Sequence, residues 1–235
     1  MNQLESQIRF PLIAKPVDDG CSSAVKKIKN ISELEAFAQL IFRETDELDE
    51  RCAEILHIKP KEEFPRKKVI LIEELISRKD SIHFLEITGG MLTRITENGQ
   101  IEFEVFEASE ALSEGDVLSL EEKFLAGQGQ NITPARYAKN PAHRQEISNQ
   151  VKATLGKAAT VLNISGYCRI DAFVRVYDGP RAEVIFIEVN SLPGMTPATC
   201  IFHQAAINQY KPYEFIDRIL DFGLKTKGKG NPIPS

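Results

Sequence analysis

The sequence has no tryptophan, only four cysteines and no long hydrophobic run. The cysteines, Cys21, Cys52, Cys168 and Cys200, form no Cys-x-x-Cys pair and no zinc-type spacing with histidine, so we expect free thiols in a reducing cytoplasm. No stretch of about 18 apolar residues is present, and no basic segment followed by an apolar one opens the chain. The sequence therefore predicts a cytoplasmic protein with no membrane partner.

Neither sign of charge dominates the chain, which has 29 lysines and arginines against 34 acidic residues and a net charge of −5. The basic residues are scattered along the sequence, which argues against nucleic acid as the main partner. Hydrophobic residues make up 42% of the 235 positions, enough to bury one large core or two small ones.

Apolar runs predict a series of β-strands. They are RFPLIAK at residues 9–15, KVILIEEL at 68–75, and three further runs at 81–88, 89–96 and 100–107. We expect the turns between these three further runs at Gly89-Gly90 and at Asn98-Gly99, and Asn-Gly is a strong hairpin signal.

Three segments predict α-helices. Ser32 and Glu35 have the spacing of a capping box at the start of the first helix, residues 142–163 have helical periodicity, and Pro212 suits the first turn of the last helix. The charged stretch 43–67 reads as a helical or irregular insertion that is mostly solvated.

Two further strands, 166–176 and 183–190, are predicted to form a hairpin with its turn at Gly179-Pro180. Its register places Asp171 opposite Glu188, with Asn190 on the same face as Glu188. Opposed like charges destabilise a sheet unless a cation lies between them, and these oxygen donors suit Mg²⁺ or Mn²⁺ better than zinc. A solvated hairpin end, a salt bridge to Arg169 or a register shift by one residue are the alternatives.

The segment KPVDDGCSSA, residues 15–24, predicts a phosphate contact. Lys15 ends a strand, and the small residues 20–23 present backbone N–H groups and hydroxyls that are able to surround phosphate oxygens. No Walker A lysine follows, and an ordinary turn is the alternative. Lys123 precedes a glycine-rich loop, and for this lysine the alternative is a surface position.

Five segments, in order KPVDDGCSSAV, VILIEELI, EEKF, GYCRIDAF and IEVNSLPGMTPAT, resemble the ATP-grasp enzymes, and most closely the D-alanine-D-alanine ligases. The resemblance implies the α+β ATP-grasp fold. A smaller lid subdomain would take residues 1–80, with the charged insertion at about 43–67. A larger antiparallel sheet with flanking helices would take residues 81–222, and residues 223–235 would form a flexible tail.

The resemblance also implies a reaction. ATP would phosphorylate the carboxylate of one D-alanine, and the amine of a second would attack the acyl phosphate to give the dipeptide used for peptidoglycan precursors. ATP contacts are implied for Lys15, Gly20, Cys21, Ser22, Ser23, Glu73, Glu74, Leu75, Ile76, Asp80 and Lys123.

The same resemblance assigns the remaining site residues. Two Mg²⁺ ions, or Mn²⁺, would be held by Asp171, Glu188 and Asn190. Arg169 and the backbone N–H of Gly194 would stabilise the tetrahedral oxyanion, and Thr199 would contact the carboxylate of the acceptor amino acid.

An N-terminal substrate domain precedes the matching segments in these ligases, whereas fourteen residues precede Lys15 here. The expected partners are therefore D-alanine or a similar amino acid, together with a missing N-terminal domain or a second copy of the chain. The alternatives are a fragment of a longer ligase, a catalytically incomplete ATP-binding module, and a ligase for a different amino or hydroxy acid.

Overall fold

The computed structural model describes residues 9–19, 23–59, 62–112, 131–196 and 199–227. These residues divide into two compact units, the first running to Ser77 and the second taking Arg78 to Leu112 and the described residues from Asn131 onward. Within these ranges no helix has the length and apolar character needed to span a membrane.

The first unit is a small antiparallel sheet with two helices, of which the first packs on the sheet and the second packs mainly on the first. Strands β1, β2 and β3 pair in the order β2-β1-β3, and their bounds are Leu12–Pro16, Lys26–Ile28 and Ile70–Glu74. Helices α1 and α2 span Ile31–Ile41 and Glu50–Ile55. Alternate residues of β1 are buried, and Phe37 of α1 packs edge to face on Phe64 with ring centroids 5.5 Å apart.

Helix α1 begins earlier than the sequence predicts. Asn30 is the N-cap residue, and its side-chain oxygen accepts a hydrogen bond from the N–H of Glu33 at 2.9 Å. The Glu33 carboxylate in turn accepts from the N–H of Lys29 at 2.7 Å. The predicted capping box at Ser32 and Glu35 is therefore wrong, because asparagine caps a helix as well as serine does and stands two positions earlier.

The charged stretch 43–67 contributes more to the core than predicted. It contains the short helix α2, as the helical or irregular interpretation allowed, but Cys52, Leu56 and Phe64 are buried in the first unit. Arg43 fixes the returning chain by donating to the carbonyl oxygens of Leu40 at 2.6 Å and Phe64 at 2.8 Å. The prediction that this stretch is mostly solvated fails for these apolar residues.

The second unit is built on a six-stranded antiparallel sheet, ordered β7-β6-β4-β8-β9, with β5 also paired to β4. Strands β4 to β9 span His83–Ile95, Ile101–Val105, Ser109–Ala111, Asn131–Ile132, Tyr167–Tyr177 and Arg181–Asn190. Helices α3, α4 and α5 span Pro141–Val161, Cys200–Ile207 and Pro212–Thr226. Leu155 of α3 packs in one hydrophobic cluster and Phe215 of α5 in another, on opposite faces of β4.

Strand β4 runs unbroken through Gly89-Gly90, so the predicted turn at this pair is wrong. A Cβ atom on Gly89 would lie 2.4 Å from Cδ1 of Leu155, and one on Gly90 would lie 2.4 Å from Oε1 of Gln204. The two glycines thus allow α3 and α4 to approach opposite faces of the strand. The predicted Asn98-Gly99 turn is confirmed: it joins β4 to β5, with a φ of 77° at Gly99.

The predicted helices near 142–163 and from Pro212 correspond to α3 and α5 and are confirmed. Helix α4 was not predicted. It has eight residues, and although Thr199 is a typical N-cap residue, no Glu or Gln follows three residues later to complete a capping box.

Candidate functional site

The hairpin of β8 and β9 brings two carboxylates together. Asp171 pairs with Glu188, as the sequence predicts. Nearer the turn, Tyr177 pairs with Arg181, and a regular ladder from that pair would set Asp171 opposite Ile187. Ile187 is instead the extra residue of a β-bulge, and this bulge sets Asp171 opposite Glu188. Bulges commonly re-aim side chains beside functional sites.

Asp171 is nearly buried, with 10% of its side chain exposed. The guanidinium of Arg169 donates to both carboxylate oxygens, each at 3.0 Å. The hydroxyl of Thr88 donates to Oδ1, and the amide of Asn190 donates to Oδ2 at 3.3 Å. The salt bridge to Arg169, which the sequence left open, is therefore present.

Burial and the neighbouring charges shift the pKa values of Asp171 and Arg169. Burial raises the pKa of Asp171 and the neighbouring Glu188 carboxylate adds to it, while Arg169 and Thr88 oppose the rise without reversing it. Burial alone would lower the pKa of Arg169, but the carboxylates of Asp171 and Glu188 outweigh it and the pKa is raised. One guanidinium thus faces two carboxylates, an excess of negative charge that a divalent cation would relieve.

Three oxygen-bearing side chains converge at this end of the hairpin. Nδ2 of Asn190 lies 3.2 Å from Oε1 of Glu188 and 3.3 Å from Oδ2 of Asp171. Within the described ranges no three His, Cys, Asp or Glu side chains are grouped to hold a metal, so the available donors are two carboxylates and one carboxamide. This set fits Mg²⁺, which is usually bound by one or two carboxylates together with substrate phosphates.

Gly194 and Thr199 lie beyond β9. Gly194 is exposed, its φ is outside the left-handed region, and the nearest atom to an added Cβ would be Cγ2 of Thr199 at 3.9 Å. Neither packing nor backbone conformation therefore requires glycine there. Thr199 is the N-cap residue of α4, but its hydroxyl donates to the carbonyl of Thr196 at 2.7 Å and does not cap the helix.

The candidate nucleotide residues of the first unit include an ion pair. Nζ of Lys15 on β1 lies 2.6 Å from Oε2 of Glu73 on β3. Glu74 is the last residue of β3, and Leu75 and Ile76 follow it, both half-buried. The structure thus brings together Lys15 and Glu73, two residues that the sequence placed in one site.

Four of the predicted ATP contacts, Gly20, Cys21, Ser22 and Lys123, lie outside the described residues. Ser23, the last member of the small-residue loop, is half-buried in a turn that leads to β2.

Asp80 belongs to the second unit and is exposed in the turn before β4. The pKa of Tyr177, at the end of β8, is raised by its hydrogen bond to Glu183 and, to a smaller extent, by the charge of Asp80. Tyr177 is six residues from Asp171 along the strand, about 20 Å at the usual rise per residue. The structure therefore does not group Asp80 with Asp171 and Glu188.

Sequence reasoning missed Thr88 and Gln204. Thr88 donates to the buried Asp171, and the fully buried Gln204 hydrogen-bonds to the backbone of β4 beside it. The available sequence signal for Thr88 was a polar residue directly before two glycines. No local pattern identifies Gln204, because its partners lie 95 to 116 residues away.

A protein-family model described as the D-ala D-ala ligase C-terminus matches residues 51–221. The D-alanine--D-alanine ligase of Leptospira interrogans is 29% identical over 220 residues, which are 92% of this chain and 50% of the relative. The ligase of Azobacteroides pseudotrichonymphae is 25% identical over 215 residues, 92% of this chain and 53% of the relative. The chain therefore spans about half the length of these curated relatives.

Solved structures show the same fold. The crystal structure of D-alanine--D-alanine ligase from Bacillus anthracis has a TM-score of 0.57 at 18% identity, and the match covers 98% of this chain and 60% of that one. The structure of that ligase complexed with ATP has a TM-score of 0.57 at 19% identity, covering 97% and 57%. The α+β ATP-grasp fold expected from the sequence is confirmed.

Proposed function

The chain belongs to the family of the D-ala D-ala ligase C-terminus, and from this premise we propose that it carries the ATP and metal site of a ligase that joins two amino acids. The first substrate is D-alanine, and the acceptor is D-alanine or a similar amino acid. The observation that carries the proposal is the convergence of Asp171, Glu188 and Asn190 beside Arg169 at one end of the hairpin.

The metal would be Mg²⁺, with Mn²⁺ as a substitute, and Asp171, Glu188 and Asn190 would hold two ions. Such ions would supply positive charge that offsets the negative charge of the ATP phosphates. The two carboxylates would attract the cations, while the two hydrogen bonds from Arg169 fix the direction of the Asp171 carboxylate and oppose the rise of its pKa. The close approach of Asp171, Glu188 and Asn190 supports this assignment.

The proposed reaction is the one that the resemblance to these ligases implies. A carboxylate oxygen of the first amino acid attacks the γ-phosphorus of ATP, the bond to ADP breaks, and an acyl phosphate results. The amine of the second amino acid attacks the acyl carbon, and phosphate leaves as the amine loses a proton. Arg169 and the N–H of Gly194 would stabilise the oxyanion between these steps, since the raised pKa of Arg169 keeps it a fixed positive donor.

Nucleotide contacts are proposed in the first unit at Lys15, residues 20–23 and residues 73–76, with Asp80 and Lys123 as further contacts. The Lys15 side chain is 16% exposed and its ammonium group is held by Glu73, so the position of the positive charge is already fixed. Phosphate oxygens would replace Glu73 as its acceptor. Thr199 would offer its hydroxyl to the carboxylate of the acceptor amino acid.

The proposal is tested by calorimetric titration of the chain with ATP, with and without Mg²⁺, and by measuring ADP release that depends on D-alanine. ADP release is measured in two samples. One contains the chain alone, and the other also contains the N-terminal half of a relative, the part that this chain does not cover. The ligase proposal is supported if ATP binding depends on Mg²⁺ and ADP release depends on D-alanine in either sample. Absence of ATP binding in both samples contradicts the proposal.

The sequence also leaves a second function open. The chain would then be an ATP-binding module without catalysis. Mg²⁺-dependent ATP binding with no ADP release in either sample, whichever amino or hydroxy acid is supplied as acceptor, selects this alternative.

A further inference from the structure

Strand β4 changes neighbours near its middle. Residues up to Thr88 pair with β6, where Thr88 lies opposite Ser109, and residues from Met91 onward pair with β5. The two ladders are interrupted at Gly89-Gly90. Backbone polar groups at such an interruption need other partners, since buried N–H and C=O groups are rarely left unpaired.

The side chain of Gln204 bridges this interruption. Its Oε1 accepts from the N–H of Gly90 at 2.8 Å, and its Nε2 donates to the carbonyl oxygen of Thr88 at 2.7 Å and to Oγ of Ser109 at 2.9 Å. Gln204 is fully buried. A carboxamide carries one acceptor and the donors of a peptide group, so it takes the place of a neighbouring strand here.

The backbone partners fix which end of the amide is oxygen, because the Gly90 N–H requires an acceptor and the Thr88 carbonyl requires a donor. Leucine or methionine at position 204 would satisfy neither group. An ionised glutamate would lack the donor, and asparagine is one methylene shorter. Gly90 completes the arrangement, since a Cβ there would collide with Oε1 at 2.4 Å.

The residue that Gln204 holds is also the residue that bonds Asp171. The carbonyl of Thr88 accepts from Gln204, and its hydroxyl donates to Oδ1 of Asp171. We propose that Gln204 is a positioning residue of the magnesium site, standing in for missing strand backbone and fixing Thr88 so that its hydroxyl directs Asp171. The part concerning magnesium rests on the function proposed above.

The first test needs no metal. Gln204→Met keeps the size of the side chain and removes its hydrogen bonds, while Ile201→Met changes packing on the same helix without removing any. We expect hydrogen exchange at the Gly90 amide, followed by NMR, to speed up on the order of tenfold in Gln204→Met and to stay unchanged in Ile201→Met. Unchanged exchange in Gln204→Met overturns the strand-replacement claim.

Thr88→Val then tests the link to Asp171. If Gln204 orients Thr88, this substitution lowers the melting temperature clearly less in the Gln204→Met background than in the wild type, because the Thr88 hydroxyl is no longer held on Asp171. Equal losses in the two backgrounds overturn the positioning role, whatever the metal site proves to be.

The metal arm uses Mn²⁺ as the probe, with affinity measured by water proton relaxation. We expect Asp171→Asn to weaken Mn²⁺ binding most, Gln204→Met to weaken it about tenfold, and Ile201→Met to leave it unchanged. If Asp171→Asn has no effect, the proposed metal site is wrong. If Asp171→Asn weakens binding while Gln204→Met behaves like Ile201→Met, the inference about Gln204 is overturned and the metal site stands.

Discussion

Asp171 lies opposite Glu188 on neighbouring strands, and the extra residue Ile187 in β9 sets this register. Opposed carboxylates destabilise a sheet. Arg169 supplies one positive charge against the two negative ones, and the pKa of Asp171 remains raised by burial and by Glu188. The hairpin therefore holds an arrangement that a divalent cation would stabilise.

Arg169→Ala tests the charge balance at Asp171. Losing the two hydrogen bonds to a nearly buried carboxylate should lower the free energy of unfolding by roughly 2 to 3 kcal/mol. Mg²⁺ should stabilise the variant more than the wild type, because the cation then replaces the missing guanidinium. Urea unfolding with and without Mg²⁺ measures both effects. Arg181→Ala, which removes a cation–π contact with Tyr177 in the same hairpin, is the control, and an identical response of the two variants would refute the account.

Lys15→Met tests the nucleotide contact in the first unit. A charge-assisted hydrogen bond to phosphate is worth roughly 1.5 to 3 kcal/mol, so the affinity for Mg-ATP should fall by about 10-fold to 150-fold. Lys26→Met is a matched control, since Lys26 on β2 of the same sheet is also 16% exposed and forms an ion pair with Glu62. Calorimetric titration measures both affinities. Equal affinities in the two variants would remove Lys15 from the site.

Glu110 provides a pH test of the second unit. Burial alone would raise its pKa, but hydrogen bonds and the charge of Arg136 outweigh burial and lower the pKa below its ordinary value of 4.5. The ion pair therefore contributes fully above about pH 4.5, and its contribution is lost as the pH falls through the lowered pKa. The difference in unfolding free energy between wild type and Glu110→Gln should be constant near neutral pH and shrink in acid.

The exposed Glu102 pairs with Arg94 at 3.5 Å and serves as the control for this pH series. Glu102→Gln should show little difference from wild type at any pH, since exposed ion pairs contribute little. A difference for Glu110→Gln that does not shrink below pH 4.5 would contradict the assigned pKa direction.

Gly89 and Gly223 should respond in opposite ways to alanine. Gly89→Ala places a Cβ against Leu155 and should destabilise the fold by about 1 to 3 kcal/mol. Gly223 lies in α5 with nothing within 4 Å of an added Cβ, so Gly223→Ala should stabilise by about 0.5 to 1 kcal/mol. Thermal unfolding measures the stability of both variants. If Gly89→Ala leaves the stability unchanged, the close approach of α3 is not required.

Local patterns predicted much of the fold and the central pair of the site. The turn placed at Gly179-Pro180 led to the correct pair, Asp171 opposite Glu188, but the strands reach this pairing only through the bulge at Ile187, which no local pattern predicted. The Asn98-Gly99 turn and the helix starting at Pro212 were also readable, because each signal lies within a few residues of the element it defines.

The remaining features depend on contacts between distant parts of the chain. Gly89-Gly90 reads as a turn in isolation, and only Leu155 and Gln204 packing on opposite faces show why glycine is needed inside a strand. Thr88 and Gln204 escaped prediction for the same reason. The position of Asp80 depends on how the turn before β4 meets the end of β8, which no short pattern records.

The central claim is that Asp171, Glu188 and Asn190 hold the metal that binds ATP, and Glu188→Gln tests it most directly. Calorimetric titration with ATP in the presence and absence of Mg²⁺ is performed on the wild type, on this variant and on Glu183→Gln. Glu183 lies on the same strand and pairs with Arg175. We predict that Mg²⁺ strengthens ATP binding in the wild type and in Glu183→Gln, and that Glu188→Gln loses at least about tenfold of the Mg²⁺-dependent affinity. Equal Mg²⁺-dependent affinities in all three proteins would contradict the account.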